Sequence, residues 1–199
     1  VTVGMPVLPS NNTLKLLAEW GSVGIDLGLK DSATASNGDK LQIKQTLKYA
    51  KALATAQRAK NKQHVKAIHA KIKNTRQDLI HKFTTQLVKD NALIVVGDVK
   101  TTQFNSKKGK LAKSVYDAGW FELKRQLTYK CENAGCRFEI VNERYTTQTC
   151  SCCGDMSSSL SGRAGLRIRE WTCATCGTRH DRDINASKNI LAVGLNRLV

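Results

Sequence analysis

Short alternating runs separated by turn residues fill the first part of the chain. Residues 22–28 (SVGIDLG) place Val23, Ile25 and Leu27 on one face and Asp26 on the other, the period-two pattern of a strand. Residues 32–36 and 40–46 are two more strand-like runs, and the Asn37-Gly38-Asp39 between them is a hairpin signal. Three antiparallel strands are therefore expected. From about residue 47 to 89 the period lengthens. Val65, Ile68, Ile72, Leu79, Phe83 and Leu87 fall mostly three, four or seven apart, one apolar stripe of a long amphipathic helix. Residues 92–96 (ALIVV) suit a strand buried on both faces, closed by Gly97-Asp98. A helix is expected over about 112–130, with Trp120, Leu123, Leu127 and Cys131 along one side. A strand over 137–141 (RFEIV), a cysteine-rich insert and a helix over 184–198 complete the chain. The first twenty residues carry little pattern and read as a lead-in segment.

The order β-β-β-α-β-α-β-(insert)-α describes an α/β protein. Three antiparallel strands followed by alternating helix and strand predict an RNase H-like mixed sheet flanked by helices. Trp120 and Trp171 are expected to be packing residues, although either ring could stack on a base.

Charge narrows the class of partner. The chain has 199 residues with 32 Lys+Arg against 16 Asp+Glu, a net charge of +16, which favours a polyanion. Thirteen of those cations, against two acids (Asp78 and Asp90), lie between Lys40 and Asp90. Nucleic-acid phosphate is the expected neighbour. The candidate contacts are Lys60, Lys62, Lys66, Lys71, Lys73 and Arg76 on the helix, and Lys107, Lys108 and Lys110 in a basic loop. At 41% hydrophobic residues and two prolines, the chain is not a disordered basic tail. Its longest apolar run is too short to cross a bilayer and no signal-peptide pattern opens it, so no membrane role is expected.

Five of the seven cysteines crowd into residues 150–176, which points to metal binding in a reducing, cytoplasmic compartment. Cys150/Cys153 and Cys173/Cys176 are two C-x2-C pairs, each able to offer two thiolates from one tight turn. Together they suit a tetrahedral, structural zinc with no open position for chemistry. Gly154 and Gly177 follow each pair where a knuckle needs permissive dihedrals. Cys152 is left over, and Cys131 and Cys136 are expected to be core or surface thiols.

Two carboxylates stand out. Asp26 is an acid in an otherwise apolar strand, flanked by Gly24 and Gly28, where it is costly unless paired or metal-bound. Asp183 opens the last helix, where it could equally be an N-cap.

GIDLG at 24–28, the basic helix, the four-cysteine ribbon and DRDINASKNI at 181–190 occur in the order seen in the TnpB (OrfB) family, and from about residue 20 onward the chain resembles it. These are RNA-guided nucleases of insertion sequences, related to compact type V CRISPR effectors. The resemblance implies a RuvC-type nuclease domain over 21–146 and 180–199 with a zinc ribbon inserted over 147–179. Asp26 corresponds to the first RuvC carboxylate, Asp183 to the third, and the four cysteines to the ribbon's zinc ligands. It further implies two catalytic Mg2+ or Mn2+ ions, a guide RNA, a target DNA, a nucleoid-associated prokaryotic setting, and an amino-terminal half of the same protein preceding these residues.

One position departs from the family. Its second acid, a Glu, normally ends the central strand, where this chain has Gly97. Three outcomes follow: Glu143, at the end of the 137–141 strand, supplies the acid; Asp98 does, although a one-residue shift should turn it to the opposite face; or the site is dead. The function implied is metal-dependent, RNA-guided cleavage of DNA, with Asp26, Glu143 and Asp183 as metal-holding catalytic acids. The alternative is a nuclease-inactive, RNA-guided DNA-binding regulator. Pairing with Arg144 or Arg179 would be the non-catalytic account of Glu143.

Overall fold

The computed structural model describes residues 21–99, 118–161, 165 and 167–198. Strands β1 (Ser22–Asp26), β2 (Ala33–Ala35) and β3 (Lys40–Leu41) are followed by helices α1 (Gln45–Lys48), α2 (Ala50–Arg58) and α3 (Lys62–Asp90). Then come β4 (Leu93–Gly97), α4 (Trp120–Ala134), β5 (Arg137–Val141), β6 (Glu170–Thr172), β7 (Arg179–Asp181) and α5 (Arg182–Asn196). The main sheet has the order β3-β2-β1-β4-β5. β1, β2 and β3 are antiparallel neighbours, whereas β4 and β5 run parallel to β1. This is the expected RNase H-like mixed sheet.

The sheet is covered on both faces because its central strands are apolar on both. Leu93, Ile94, Val95 and Val96 are fully buried. Val23, Ile25, Ile94 and Val96 pack under α3 and α4, while Leu93, Val95 and Val141 meet Ile190 of α5. That second face depends on Gly24. A β-carbon there would stand 2.0 Å from the Ser187 carbonyl oxygen and 2.7 Å from the Leu191 amide nitrogen, so only glycine lets α5 lie directly on β1.

Two expectations about the elements are corrected. The third strand ends at Leu41 instead of reaching residue 46, because helix begins at Gln45. The long helix is instead a hairpin of helices. Lys60 takes a left-handed φ of 52°, and Asn61 caps α3 by accepting a hydrogen bond from the His64 amide at 2.9 Å. The apolar stripe consequently serves two cores. Val65, Ile68 and Ile72 pack against Leu53 and Ala56 of α2, whereas Leu79, Phe83 and Leu87 reach the sheet. Trp120, Leu123, Leu127 and Cys131 line the buried side of α4, and Cys136 packs against the same core. Trp120 donates its indole N–H to the Ser32 carbonyl at 3.0 Å. Among the described residues no helix is long and apolar enough to cross a membrane.

Candidate active site and cysteine metal centre

The parallel strands β1, β4 and β5 end on the same edge, and the candidate carboxylates are there. β1 ends at Asp26. Asp183 sits in the first turn of α5, which crosses β1 at Gly24 one turn further on. The N-cap of α5 is Asp181, not Asp183. Asp181 Oδ1 accepts from the amides of Asp183 and Ile184 at 2.9 and 3.0 Å, and its other oxygen pairs with Lys40 on β3 at 3.2 Å. Asp183 is thereby left with its side chain available to the sheet edge. It pairs with Arg169, at 3.4 Å.

Gly97 pairs with Val141 across β4 and β5, so Glu143 lies two residues past the strand end. Its side chain returns over Gly97, where a β-carbon would fall 2.7 Å from Glu143 Oε2. That oxygen is buried and accepts no hydrogen bond from any described residue. Neither arginine suggested as its partner holds it: Arg144 lies over the Tyr145 ring, and Arg179 pairs with Glu170. Asp98 is half exposed and pairs with Lys124 at 3.1 Å.

The acids of this edge repel one another, and Arg169, Arg182 and Lys124 offset that repulsion only in part. Burial first, then the nearby Asp183 and Glu143 carboxylates, push the pKa of Asp26 to about 7, with Arg182 opposing. Burial likewise raises Glu143, with Lys124 opposing and Asp98 reinforcing. Asp26 therefore senses both Asp183 and Glu143. Asp26, Glu143 and Asp183 thus share this edge and sense one another, but their carboxylates are not drawn together into a metal-ready cluster as the cysteine sulfurs are.

The insert builds the second centre. Cys150, Cys153, Cys173 and Cys176 bring their sulfurs within 4.8 Å of one another, the one such group of His, Cys, Asp or Glu among the described residues. The Cys150–Cys176 and Cys153–Cys173 separations are 3.7 and 3.6 Å. A tetrahedron of thiolates at about 2.3 Å from zinc has an edge of about 3.8 Å, so the four fit the ion. Gly154 and Gly177 take left-handed φ values of 79° and 70° behind each pair. Leu160, Trp171 and Ile168 make a small core around Cys150 and Cys173. Trp171 is thus a packing residue, stacked on His180 with ring centroids 4.8 Å apart.

Several residues that sequence reasoning did not single out hold the two centres together. Asn185 Nδ2 and Asn189 Nδ2 both donate to the Thr146 and Thr149 carbonyls, and Asn185 Oδ1 accepts the Ser151 amide at 2.8 Å. Their i, i+4 spacing on one helix face was the signal available. Arg182 is buried, donating to the Gly165 carbonyl from its side chain and to the Arg169 carbonyl from its amide.

Residues 16–106 match the OrfB family of IS605, described as "Probable transposase", and residues 120–190 match the family described as "Cas12f1-like, TNB domain". A protein of Streptomyces pristinaespiralis named as an RNA-guided DNA endonuclease is 36% identical over 89% of this chain and 46% of its own length. The chain belongs to the TnpB/OrfB family. InsQ of Escherichia coli K12, also named as an RNA-guided DNA endonuclease, is 31% identical over 86% of the chain and 48% of its own length. The chain thus spans about half the length of these two curated relatives. A cryo-EM structure of a Cas12f1–sgRNA–target DNA complex shares the fold, with a TM-score of 0.64 at 16% identity over 85% of this chain and 49% of that one.

The predicted nucleic-acid contacts divide. Lys60, Lys62, Lys66, Lys71 and Lys73 are exposed and Arg76 is half-buried, while Lys107, Lys108 and Lys110 lie outside the described residues. Lys62, Lys66 and Lys73 repeat at helical spacing on one face of α3. Lys71 instead lies over the Tyr49 ring, 5.6 Å from its centroid.

Proposed function

We propose that this chain is the catalytic portion of an RNA-guided DNA endonuclease, with a RuvC-type domain over 21–146 and 180–199 and a zinc ribbon over 147–179. Asp26, Glu143 and Asp183 hold two divalent cations, Mg2+ or Mn2+. Cations held there would supply the activation of water and the stabilisation of the leaving oxygen that phosphodiester cleavage needs. The observation that carries the reading is the Glu143 carboxylate buried over Gly97 and electrostatically coupled to Asp26. It supports Glu143, rather than Asp98, as the acid that replaces the family's missing glutamate.

The protein's own part is to bring three acids from separate elements to one edge, where Arg169, Arg182 and Lys124 offset their mutual repulsion only in part. The cysteine centre holds zinc and has a structural role. Lys60, Lys62, Lys66, Lys73 and Arg76 contact phosphate along guide RNA and target DNA, with Lys107, Lys108 and Lys110 adding to them and Lys71 contributing from the Tyr49 flank. The regulator alternative drew its support from Gly97, and a carboxylate returned over that glycine favours the nuclease reading over it.

The test is Mg2+- or Mn2+-dependent cleavage of target DNA by the complete protein with its guide RNA, beside Glu143→Ala. The reading expects the wild type to cut and the variant to bind without cutting. Guide-dependent binding by both, with cleavage by neither, would establish the regulator instead.

A further inference from the structure

His180 is a buried imidazole that the proposed chemistry does not use. It lies on β7, between the second cysteine pair and the start of α5. Its Nε2 is 3.0 Å from Cys150 Sγ, in a buried contact. Two residues earlier, Thr178 Oγ1 is 3.3 Å from Cys176 Sγ. Alternation along an extended segment puts residues 178 and 180 on one face, towards the sulfurs, and turns Arg179 and Asp181 outward. The outward pair behaves accordingly, Arg179 meeting Glu170 and Asp181 meeting Lys40.

Four thiolates around one divalent cation leave a net charge of about −2 in a partly buried place, and donors aimed at the sulfurs are what offset it. Amides of Cys152 and Cys153 already hydrogen-bond Cys150 from its own knuckle. His180 adds a donor from a different element, and the next residue along is the cap of α5.

We propose that His180 is a positioning residue that donates its Nε2–H to the Cys150 thiolate of the metal-loaded ribbon, fixing that ligand and tying the metal centre to the strand that delivers Asp181 and Asp183. The inference rests on the reading of the four cysteines as a metal centre. Partners of this kind, one bond away from the metal, typically account for about 10–100-fold in metal affinity.

The experiment uses the complete protein loaded with Co2+ at the cysteines, comparing wild type with His180→Phe and His180→Gln. Phenylalanine keeps the ring against Trp171 and lacks the donor, whereas glutamine carries an N–H near the position of Nε2. Loss of a hydrogen bond raises the energy of the sulfur lone pairs. His180→Phe should therefore shift the thiolate-to-cobalt charge-transfer bands to lower energy and lose metal to a chelator about tenfold faster. His180→Gln should stay near wild type in both. A His180→Phe variant with wild-type bands and release rate, or a His180→Gln variant as impaired as His180→Phe, would overturn the proposal. Absence of thiolate–cobalt bands in the wild type would instead overturn the metal centre itself. A nitrogen-15 correlation spectrum of the wild-type imidazole decides the matter even if His180→Phe does not fold: the Nε2–H tautomer is expected, and the Nδ1–H tautomer would sink the proposal.

Discussion

Glu143 occupies the space that a side chain at Gly97 would need. A β-carbon on Gly97 would fall 2.7 Å from Glu143 Oε2 and 3.3 Å from its β-carbon, so the glycine and the returning carboxylate are a matched pair. Gly97→Ala should push that carboxylate aside and lower DNA cleavage by the complete protein roughly a hundredfold, the cost of misplacing a catalytic group by about an ångström. The double variant Gly97→Glu/Glu143→Ala carries an acid at the family's usual position and should recover part of the loss caused by Glu143→Ala. Single-turnover cleavage rates read both effects, and wild-type activity in Gly97→Ala would break the pairing argument.

Asp26 makes the protein's stability depend on pH in an uncommon direction. Its carboxyl is shifted from an ordinary 3.8 to about 7 by burial and by Asp183 and Glu143, so the folded chain holds this proton more tightly than the unfolded one. The contribution of Asp26 is therefore fully present at acid pH and is lost as pH rises from about 4 through 7, by at most about 4 kcal/mol for a shift of this size. In Mg2+-free buffer, Asp26→Asn should melt higher than wild type at pH 8, and the gap between the two should narrow steadily as pH falls towards about 5. Adding Mg2+ at pH 8 should raise the wild-type Tm and leave Asp26→Asn nearly unmoved. A wild-type Tm that climbs relative to Asp26→Asn between pH 5 and 8 would contradict the repulsion described.

Much of this arrangement was legible in the chain because its signals are local. Alternation gave β1, Asn37-Gly38 gave the hairpin, and two C-x2-C pairs gave the metal centre. The helical hairpin was not legible, since the stripe from Val65 to Leu87 keeps one period while its two halves pack against different partners. The break is a left-handed backbone at Lys60, a residue that carries no turn signal. Asp183 read equally as a metal-holding acid or as a cap, and only the backbone geometry, which gives the cap to Asp181, separates the two. Glu143 was one of three options because a side chain folding back over a neighbouring strand depends on register, which a single sequence does not state.

Gly24 offers a sharper test of the packing. The Ser187 carbonyl that a β-carbon would meet at 2.0 Å is backbone of a buried helix and has no rotamer to change. Gly24→Ala should cost more than about 4 kcal/mol, in the range of severe overpacking, and leave the chain largely unfolded or α5 undocked. Gly38→Ala, where a β-carbon would meet no atom within 4 Å, should cost only the strain of its left-handed φ of 98°. Urea melts of the two variants should differ widely, and similar midpoints would mean that α5 can shift on β1.

Asn185 and Asn189 show how the last helix holds the ribbon. The segment from Thr146 to Ser151 leads into the first cysteine pair, and these two side chains take up its Thr146 and Thr149 carbonyls while Asn185 also takes the Ser151 amide. Asn185 is 1% exposed, so Asn185→Ala would leave the Ser151 amide without its acceptor and out of reach of water, while Asn189 still donates to the Thr146 and Thr149 carbonyls. An unsatisfied buried group costs about 1–3 kcal/mol, and a loss in that range is expected. Asn189→Ala should cost less, because Asn185 still donates to both carbonyls. Hydrogen exchange should show Asn185→Ala opening residues 146–151 well before β1 and β4, whose amides lie in the sheet core. Exchange rising uniformly over the chain would mean that the clamp and the sheet unfold as one unit. Exchange confined to 146–151 would place the two asparagines as the hinge pin between the metal ribbon and the carboxylate edge.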